Sequence, residues 1–483
     1  MLRAFSAQHT DPRRVLILVP NRWRDLEGHA LVAYHLKNAY GHEVELCNEG
    51  DAQRKLMKLG PDGLVIDHLG IIERVELAML AKRLGTKVFL LPTAGFFQDM
   101  EREARRAGKL FGASQLVDAY FAWGCSGRDY LQREKLLSER QLHTIGCVRF
   151  DLYSEPYTSL VRPKDVVLSS LGIKRNQSPL IVWTTNTYFA NLGDPEQVVR
   201  AQALHAKRPI AELRAEIEDC ITQFREHTKT VATLARRHPD WNFLIKIHPT
   251  EARQPYESLK KQAKNIYLVN RLSAREVLFH CDVLIQRGCT TATEAWMLGK
   301  PVIELSIGHY NDAIGPEYLA GNSVAHTLED VENAIEGYVK GVVVPEKQRL
   351  AREAFIRDVY YKIDGKASAR AAELIAHHLS PAYYSDLDQA HTRKAAREAF
   401  SCWLRNEDRR FGNLLKDLLG INREISIRVW KNWRRKKSDL NHFGLFAEDN
   451  NLTPELVQTL LLQYHKVLAA PVPSQTRSDP ATV

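Results

Sequence analysis

Short apolar runs alternate with longer amphipathic segments along most of the chain. Residues 15–19 form an apolar run that Pro20 ends, and helical spacing follows from Leu26 to Tyr40, just before Gly41. The same succession recurs as far as residues 301–304. Apolar runs of about five residues, separated by helical segments of about 10 to 15, are typical of parallel strands joined by helical crossovers. The pattern therefore predicts an α/β protein.

A turn-rich break divides this pattern into two halves. The first half, residues 1–153, has predicted strands at 15–19, 44–46, 63–66, 87–91 and 119–122. The second half, residues 180–380, has predicted strands at 180–184, 243–247, 266–269, 283–286 and 301–304. Residues 154–179, which include Pro156 and Pro163, have the composition of a linker. We therefore predict two doubly wound, Rossmann-like parallel-sheet domains.

The remaining residues differ from both halves. Helical patterns without strands continue through 381–470, which we predict to be a helical extension. Residues 471–483 are rich in Pro, Ser and Thr, a composition typical of a disordered tail. The net charge of +9 is concentrated in the extension, because residues 391–437 hold 14 Lys and Arg but only 5 Asp and Glu. A basic partner surface is therefore expected there and not on the two α/β domains.

Composition narrows the class of protein and its compartment. Hydrophobic residues make up 44% of the 483-residue chain and charged residues 26%, as in globular proteins. No apolar run approaches the roughly 18 residues that would span a bilayer, and the polar first residues lack a signal core. The seven cysteines include no CxxC pair, which is typical of a reducing compartment. We expect a cytoplasmic protein without a disulfide framework or zinc site.

The strongest candidate site follows the predicted strand at 283–286. In open parallel sheets, ligands bind beyond the carboxyl ends of the strands. Here the strand runs into Arg287, Gly288 and Cys289, and then into Thr290, Thr291 and Glu294 at the start of a helix. Free N–H groups and the dipole at a helix start attract phosphate, and a carboxylate one turn later suits ribose hydroxyls. The spacing of Thr291 and Glu294 also fits a capping box, which any helix can carry.

A second candidate site follows the predicted strand at 243–247. Lys246, His248 and Pro249 end this strand, and an imidazole there is positioned to contact a pyrophosphate or a base. A surface His-Pro turn is the alternative interpretation. Thr185 and Asn186 follow the strand at 180–184 and are expected to face the same crevice. Lys246 and Arg287 are candidates to offset the charge of a phosphate.

The first half supplies the candidate acid and base groups. Asp25 and Glu27 follow the first strand, and a carboxylate at that position could accept the proton of an acceptor hydroxyl. Either residue could instead cap the helix that begins there. Asp67 and His68, after the third predicted strand, form a second candidate pair.

These motifs together resemble a known family. "VPNRWRDLEGHALVAYHL", "GCVRFDL", "IVWTTNTYFAN", "KIHPTE" and "QRGCTTATEAWMLGKPVIEL" are similar to the bacterial surface carbohydrate biosynthesis proteins, enzymes with the GT-B glycosyltransferase fold from capsule and O-antigen (lipopolysaccharide) assembly. The resemblance covers about residues 14–380. The His-Pro and Thr-rich elements also resemble the CMP-binding parts of Kdo- and polysialyl-transferases and of CDP-glycerol glycerophosphotransferases.

The resemblance implies two domains that face each other across a cleft. The second domain would bind a nucleotide-sugar donor through His248, Thr290, Thr291 and Glu294. The first domain would bind the acceptor and supply the base. It implies a glycosyltransferase that needs no metal or other cofactor. The expected donor is a CMP-linked ulosonic acid such as Kdo, and the expected acceptor is a surface polysaccharide or lipid-linked glycan. Alternatives are a nucleotide-sugar 2-epimerase, a CDP-glycerol-type glycerophosphotransferase and a non-catalytic glycan- or lipid-binding scaffold.

The basic extension lies outside this resemblance. Residues 423–437 combine Trp430 and Trp433 with a dense run of Lys and Arg. This composition suits an anionic membrane surface, which would place the protein peripherally on the inner membrane. A solvated helix that packs through its tryptophans is the alternative. Base-stacking motifs are missing, so we expect no nucleic acid partner. Asp386 and Asp388 form the only DxD-like spacing, beyond the predicted sheets, so no metal site is expected.

Overall fold

The structure is a computed structural model of the 483-residue chain. It describes residues 12–93, 104, 106–109, 112–174, 177–187, 190, 196, 199, 209–248, 251–307, 315–380 and 452–469. None of the helices in these ranges is long and apolar enough to cross a membrane. The basic stretch 391–437, the Asp386–Asp388 pair and the predicted tail lie outside the described residues.

Two six-stranded sheets form the centre of the molecule, and every strand pairing in them is parallel. The first sheet has the order β2-β1-β3-β4-β5-β6. Its strands are β1 Arg14–Leu18, β2 Glu43–Cys47, β3 Gly63–Ile66, β4 Lys87–Leu90, β5 Ala119–Ala122 and β6 Leu142–Thr144. The second sheet has the order β12-β11-β10-β7-β8-β9. Its strands are β7 Leu180–Thr184, β8 Asn242–Lys246, β9 Ile266–Val269, β10 Val283–Gln286, β11 Val302–Leu305 and β12 Ser323–Ala325.

Helices connect these strands and continue beyond the second sheet. In the first half they are α1 Arg22–Tyr40, α2 Glu49–Leu59, α3 Ile72–Arg83 and α4 Cys125–Arg133. Between the sheets lie α5 Lys164–Ser170 and short 3₁₀ helices at Val148–Tyr153 and Tyr157–Leu160. The remaining helices are α6 Ile210–Arg237, α7 Gln254–Lys260, α8 Ala274–His280, α9 Thr291–Met297, α10 Pro316–Leu319, α11 Leu328–Val339, α12 Glu346–Val359, α13 Ala367–His378 and α14 Pro454–Ala469. Further 3₁₀ helices span Ser114–Leu116 and Glu139–Gln141.

Both faces of each sheet are covered, which explains why central strands such as β1, β3 and β7 are almost entirely apolar. Successive side chains of a strand point to opposite faces. In β1, Val15 and Ile17 therefore enter one buried cluster, whereas Leu16 and Leu18 enter another. The strands of the second sheet divide in the same way between two further clusters. This arrangement confirms the predicted α/β class with two doubly wound parallel sheets.

The last helices return to the first sheet. Residues of α13 join the buried cluster formed by β1 and α1, and Tyr464 of α14 is buried in the same cluster. Asp151 fixes the start of α13, because its carboxylate accepts hydrogen bonds from the N–H groups of Ala367 at 2.8 Å and Ser368 at 2.7 Å. Gly124 lies against the backbone of residues 358–359 at the end of α12. The domain boundaries drawn from the sequence remain predictions.

Candidate functional site

A cleft lies where the carboxyl ends of β1, β7, β8 and β10 approach one another. Its cavity volume is about 140 Å³, and part of it is open to solvent. Seven of the residues singled out in the sequence line it: Glu27, Thr185, Lys246, His248, Thr290, Thr291 and Glu294. Six others lie outside its lining: Asp25, Asp67, His68, Asn186, Arg287 and Gly288. Pro249 lies outside the described residues.

Asp25 and Glu27, two carboxylates at the start of α1, have different surroundings. The Asn21 side chain caps the helix, since it accepts from the N–H groups of Trp23 at 3.0 Å and Arg24 at 3.1 Å. Asp25 is buried and accepts from the Asn21 N–H at 3.1 Å and from Arg24 Nε at 2.6 Å. Its carboxylate is thus engaged in the helix start. Glu27, about half a turn further along α1, lines the cleft instead.

Two ion pairs cross the cleft between the two sheets' domains. Glu27 Oε1 of α1 lies 2.8 Å from Arg275 Nη2 at the start of α8. In the opposite sense, Arg149 Nη2 lies 3.4 Å from Glu294 Oε1 of α9. The Tyr153 hydroxyl also donates a hydrogen bond to Glu294. The sequence motifs had not singled out Arg149, Tyr153 or Arg275. The "GCVRFDL" segment holds Arg149 between the apolar residues Val148 and Phe150, a signal that could have identified it.

The buried carboxylate of Glu304 supports the turn after β10. Gly288 has a φ of 53°, a left-handed conformation that favours glycine. Its N–H donates to Glu304 Oε1 of β11 at 2.8 Å, and Gln286 also donates to Glu304. Burial raises the pKa of Glu304 to about 7. Glu304 was not among the residues singled out in the sequence; a glutamate inside the apolar strand "PVIEL" is the signal that could have indicated it.

Arg287 turns away from the cleft. Its Nη1 lies 3.6 Å from Glu304 Oε1 and 3.4 Å from Ser306 Oγ, so it supports the turn from the side of β11. The Asn186 side-chain amide donates to the Arg287 carbonyl at 3.5 Å. Both residues therefore connect the loops after β7, β10 and β11 to one another.

The residues after the turn face the cleft. Thr291 Oγ1 lies 2.8 Å from Thr184 Oγ1 at the end of β7, which joins the start of α9 to the neighbouring strand. Thr290 precedes α9 as its N-cap, and its side chain makes no capping hydrogen bond. The capping-box alternative for Glu294 is therefore not what the structure has. Its buried carboxylate is engaged by Tyr153 and Arg149.

The His-Pro segment is joined to the loop after β7. The His248 N–H donates to Thr185 Oγ1 at 2.8 Å. Burial, together with the charges of Arg24 and Lys246, lowers the pKa of His248 to about 3, so its imidazole is neutral at physiological pH. Burial lowers the pKa of the Lys246 ammonium to about 8. A partly desolvated amine of this kind carries its charge most of the time near neutral pH and still attracts a phosphate.

Glu251 is a further buried carboxylate beneath this segment. It accepts from the Thr187 N–H at 2.7 Å and from the Tyr256 hydroxyl. Burial raises its pKa to about 7. Glu251 thus holds the loop after β7, which carries Thr185, against the loop after β8.

Asp67 and His68 form a separate buried group. Asp67 Oδ1 accepts from Arg74 Nε at 2.7 Å, and Asp67 Oδ2 lies 3.4 Å from His68 Nε2. Burial opposes ionisation of Asp67, but the charges of His68 and Arg74 outweigh it and hold the pKa of Asp67 below its usual value. Because Arg74 also binds Glu49, this group fixes α2 and α3 beside β3. The structure does not bring Asp67 or His68 to the cleft with Glu27.

The cleft carries an excess of positive charge. Its lining includes the cationic side chains of Arg24, Arg149, Lys246 and Arg275 but only two carboxylates, those of Glu27 and Glu294. Within the described residues, no cluster of three or more His, Cys, Asp and Glu side chains has the arrangement of a metal site. The cleft is therefore suited to a ligand with one or more anionic groups.

Comparison with known proteins identifies the fold. No protein-family model matches the chain. No curated protein sequence matches it either. Among solved structures, the S. aureus MnaA-UDP co-structure is similar with a TM-score of 0.50 and 14% identity, over 76% of this chain and 97% of that one. A Methanocaldococcus jannaschii UDP-GlcNAc 2-epimerase in complex with UDP-GlcNAc and UDP is similar with a TM-score of 0.50 and 13% identity, over 75% and 99%.

These similarities establish the fold class. The chain has the GT-B fold, with two parallel-sheet domains on either side of a cleft, as the sequence predicted. At such low identity the likeness concerns the fold alone. The residues of its own cleft determine what this chain binds.

Proposed function

We propose that this chain is a GT-B glycosyltransferase that transfers a sugar from a nucleotide-activated donor to a surface polysaccharide or a lipid-linked glycan. The observation that carries the proposal is the cleft itself. Candidate phosphate- and ribose-binding side chains after β8 and β10 face Glu27, a carboxylate of the opposite domain, across a positively charged space. This is the arrangement that transfer from an anionic donor to a hydroxyl requires.

In this proposal the donor nucleotide binds the second domain. Lys246 and the start of α9, with Thr290 and Thr291, hold the phosphate, and neutral His248 contributes a hydrogen bond. Glu294 is placed to accept from ribose hydroxyls once a ligand occupies the cleft. No metal or other cofactor is part of the proposed scheme, because the cationic side chains offset the charge of the leaving phosphate.

Glu27 is the proposed base. The acceptor hydroxyl gives its proton to the Glu27 carboxylate while its oxygen bonds to the anomeric carbon of the donor sugar. The bond between that carbon and the phosphate oxygen breaks, and the nucleotide leaves with the electron pair. Asp25 is the less favoured candidate, since its buried carboxylate is engaged in the helix start and lies outside the lining of the cleft.

The finer parts of the proposal concern the donor and the location. A CMP-linked ulosonic acid such as Kdo remains the proposed donor, and the arginines of the cleft suit a sugar that carries its own carboxylate. We also propose that the enzyme acts in the cytoplasm, at the inner face of the membrane. The residues proposed to contact lipid, 423–437, lie outside the described residues.

A nucleotide-sugar 2-epimerase is the second candidate. One of the solved structures that share the fold is described as a 2-epimerase in complex with UDP-GlcNAc and UDP, so the fold is compatible with this activity. An epimerase needs acid and base groups on both sides of the sugar and no acceptor, and the two cross-cleft pairs Glu27–Arg275 and Arg149–Glu294 supply a carboxylate from each domain.

Two measurements test these candidates. Thermal shifts with CMP, CDP, UDP and GDP identify the nucleotide, because a ligand that binds the folded chain raises its melting temperature. Incubation with the matching nucleotide sugar alone, followed by NMR of the sugar, then separates the activities. A 2-epimer formed without acceptor would establish the epimerase, whereas nucleotide release that depends on added glycan acceptor would establish the transferase. Absence of a thermal shift with all four nucleotides would contradict both.

A further inference from the structure

Arg149 and Arg275 approach the cleft from opposite domains. Arg149 lies in the 3₁₀ helix after β6 of the first sheet, and Arg275 lies in α8, after β9 of the second sheet. Both side chains line the cleft. Each is paired with a carboxylate of the other domain, Arg149 with Glu294 and Arg275 with Glu27. The two pairs thus place a cation and an anion on each side of the cleft.

Neither guanidinium group has its hydrogen-bonding capacity filled. The side chain of Arg275 is only 6% exposed and that of Arg149 only 11% exposed. Nevertheless, Nε and Nη1 of Arg275 and Nε and Nη2 of Arg149 are buried and make no hydrogen bond in the described part of the chain. Arg149 Nη2 has only the ion-pair contact with Glu294 Oε1 at 3.4 Å. Buried charged donors are normally satisfied, since an unmet donor is costly. Four such donors in one cleft indicate a place for a ligand with several acceptor oxygens.

We propose that Arg149 and Arg275 form a two-arginine site for an oxyanion of the substrate, and that Glu27 and Glu294 occupy these arginines until the oxyanion replaces them. The planar fork of N–H donors in arginine matches the oxygens of phosphate and carboxylate groups. The proposal rests on the proposed function, because the oxyanion is taken to belong to the donor, as its phosphate or as a carboxylate of its sugar.

This exchange has a consequence for the base. While Glu27 is held by Arg275, its carboxylate is not free to accept the proton of an acceptor hydroxyl. An oxyanion bound to Arg275 would release Glu27 into the cleft. Donor binding would then precede formation of the active base.

Calorimetric titration of the full chain tests the site. The probes are inorganic pyrophosphate, UDP, CMP, uridine, cytidine and the pair UDP-glucose and UDP-glucuronate, which differ by one carboxylate. Arg149→Gln, Arg275→Gln and the double variant are compared with the native chain. Arg275→Lys keeps the positive charge but loses the planar fork of N–H donors. Arg349→Gln is the matched control, because Arg349 is an exposed arginine of α12 paired with Glu346 and Glu353.

The expected result is a selective loss of affinity for oxyanions. Each arginine-to-glutamine change should weaken pyrophosphate binding about ten- to hundredfold, the effect of losing charge-assisted hydrogen bonds, and leave uridine and cytidine unaffected. Glu27→Gln should instead tighten pyrophosphate binding by about threefold or more, because it removes the competing carboxylate. A gain of affinity cannot arise from a misfolded variant, so this arm stays informative if the arginine variants are unstable.

The probes also separate the two sources of the oxyanion. If the arginine variants lose affinity for pyrophosphate, UDP and CMP, the oxyanion is the phosphate. If they lose only the tighter binding of UDP-glucuronate relative to UDP-glucose, the oxyanion is a carboxylate of the sugar. Equal affinities of the native and double-variant chains for every probe would overturn the site. Arginine-dependent pyrophosphate binding without nucleotide binding would support the site and contradict the proposed function. Nucleotide binding that is equally tight in the native chain and the double variant would support the proposed function and contradict the site. If no probe binds, both the site and the proposed function are contradicted.

Discussion

The hydroxyl of Tyr464 donates a hydrogen bond of 2.9 Å to the main-chain carbonyl of Glu27, although 437 positions separate the two residues. Tyr464 is 1% exposed and belongs to the apolar cluster of the first sheet. Helix α14 therefore supports the turn of α1 that carries the proposed base. The chain reaches this position only after both sheets are complete.

Removal of the Tyr464 hydroxyl tests that support. Tyr464→Phe should lower the free energy of unfolding by about 1 kcal/mol, since the hydrogen bond is lost and the ring keeps its packing. Tyr464→Ala should cost about 3–5 kcal/mol. Urea unfolding followed by fluorescence measures both. Tyr40→Phe is the control, because Tyr40 is 38% exposed at the end of α1. Equal effects of the two phenylalanine variants would show that the hydrogen bond to Glu27 contributes nothing.

Asp25 and Glu27 should respond differently to neutralisation. Asp25→Asn should lower the melting temperature by several degrees, because it leaves Arg24 beside a neutral partner at a buried helix start. Glu27→Gln should reduce turnover about 10²- to 10⁴-fold, the usual contribution of a general base, and retain nucleotide binding. Initial rates and melting curves of both variants are the measurements. Native turnover by Glu27→Gln would exclude Glu27 as the base.

Glu294 should matter for both stability and ligand binding. Glu294→Ala should lower the melting temperature, because Tyr153 and Arg149 lose a buried partner. Glu294→Gln keeps an acceptor for Tyr153 and should restore most of the stability, but it should still bind nucleotide less tightly than the native chain. Glu336→Gln, at an exposed ion pair with Lys340, is the control. Native nucleotide affinity in Glu294→Gln would remove Glu294 from the donor site.

The pH dependence of nucleotide binding should follow Lys246. Its pKa of about 8 means that the charged form, which attracts phosphate, dominates below that pH and is lost above it. Affinity for UDP should therefore fall as the pH rises from about 7 to about 9 at constant ionic strength. Lys246→Met should bind UDP more weakly and without this decline. Because the pKa of His248 is about 3, calorimetry should find no inflection from this histidine near pH 6.5.

Gly124 should not tolerate a side chain. A Cβ atom there would lie 2.2 Å from the carbonyl oxygen of Asp358, so the end of α12 would have to move away from α4. Gly124→Ala should destabilise the chain by about 3 kcal/mol, the upper part of the typical range for overpacked sites, because the clash is with backbone atoms. At Gly50, in the first turn of α2, the nearest atom would be 3.6 Å away. Gly50→Ala should thus be neutral or stabilising by about 0.5–1 kcal/mol, and thermal unfolding distinguishes the two changes.

Local sequence determined the secondary structure and the fold class. Strands such as β1 and β7 are largely continuous apolar runs because both faces of each sheet are covered, and α1 includes the helical spacing predicted from Leu26 to Tyr40. The short strands β6 and β12 were not predicted, since each contains only three residues. The rule that ligands bind beyond the carboxyl ends of parallel strands correctly indicated the side of the second sheet where the cleft lies.

Tertiary structure alone decided which polar residues share the cleft. Arg287 and Glu294 belong to one motif, yet they contact different parts of the molecule. Arg287 pairs with Glu304 beside the turn after β10. Glu294 binds Tyr153 and Arg149 of the other domain. Asp25 and Glu27 are two positions apart, yet only Glu27 meets Arg275. The direction of each side chain depends on partners that lie far away in the sequence, and these come close only when the two sheets and α14 have packed together. Such partners leave no periodic pattern in the sequence, because their spacing along the chain has no bearing on their contact.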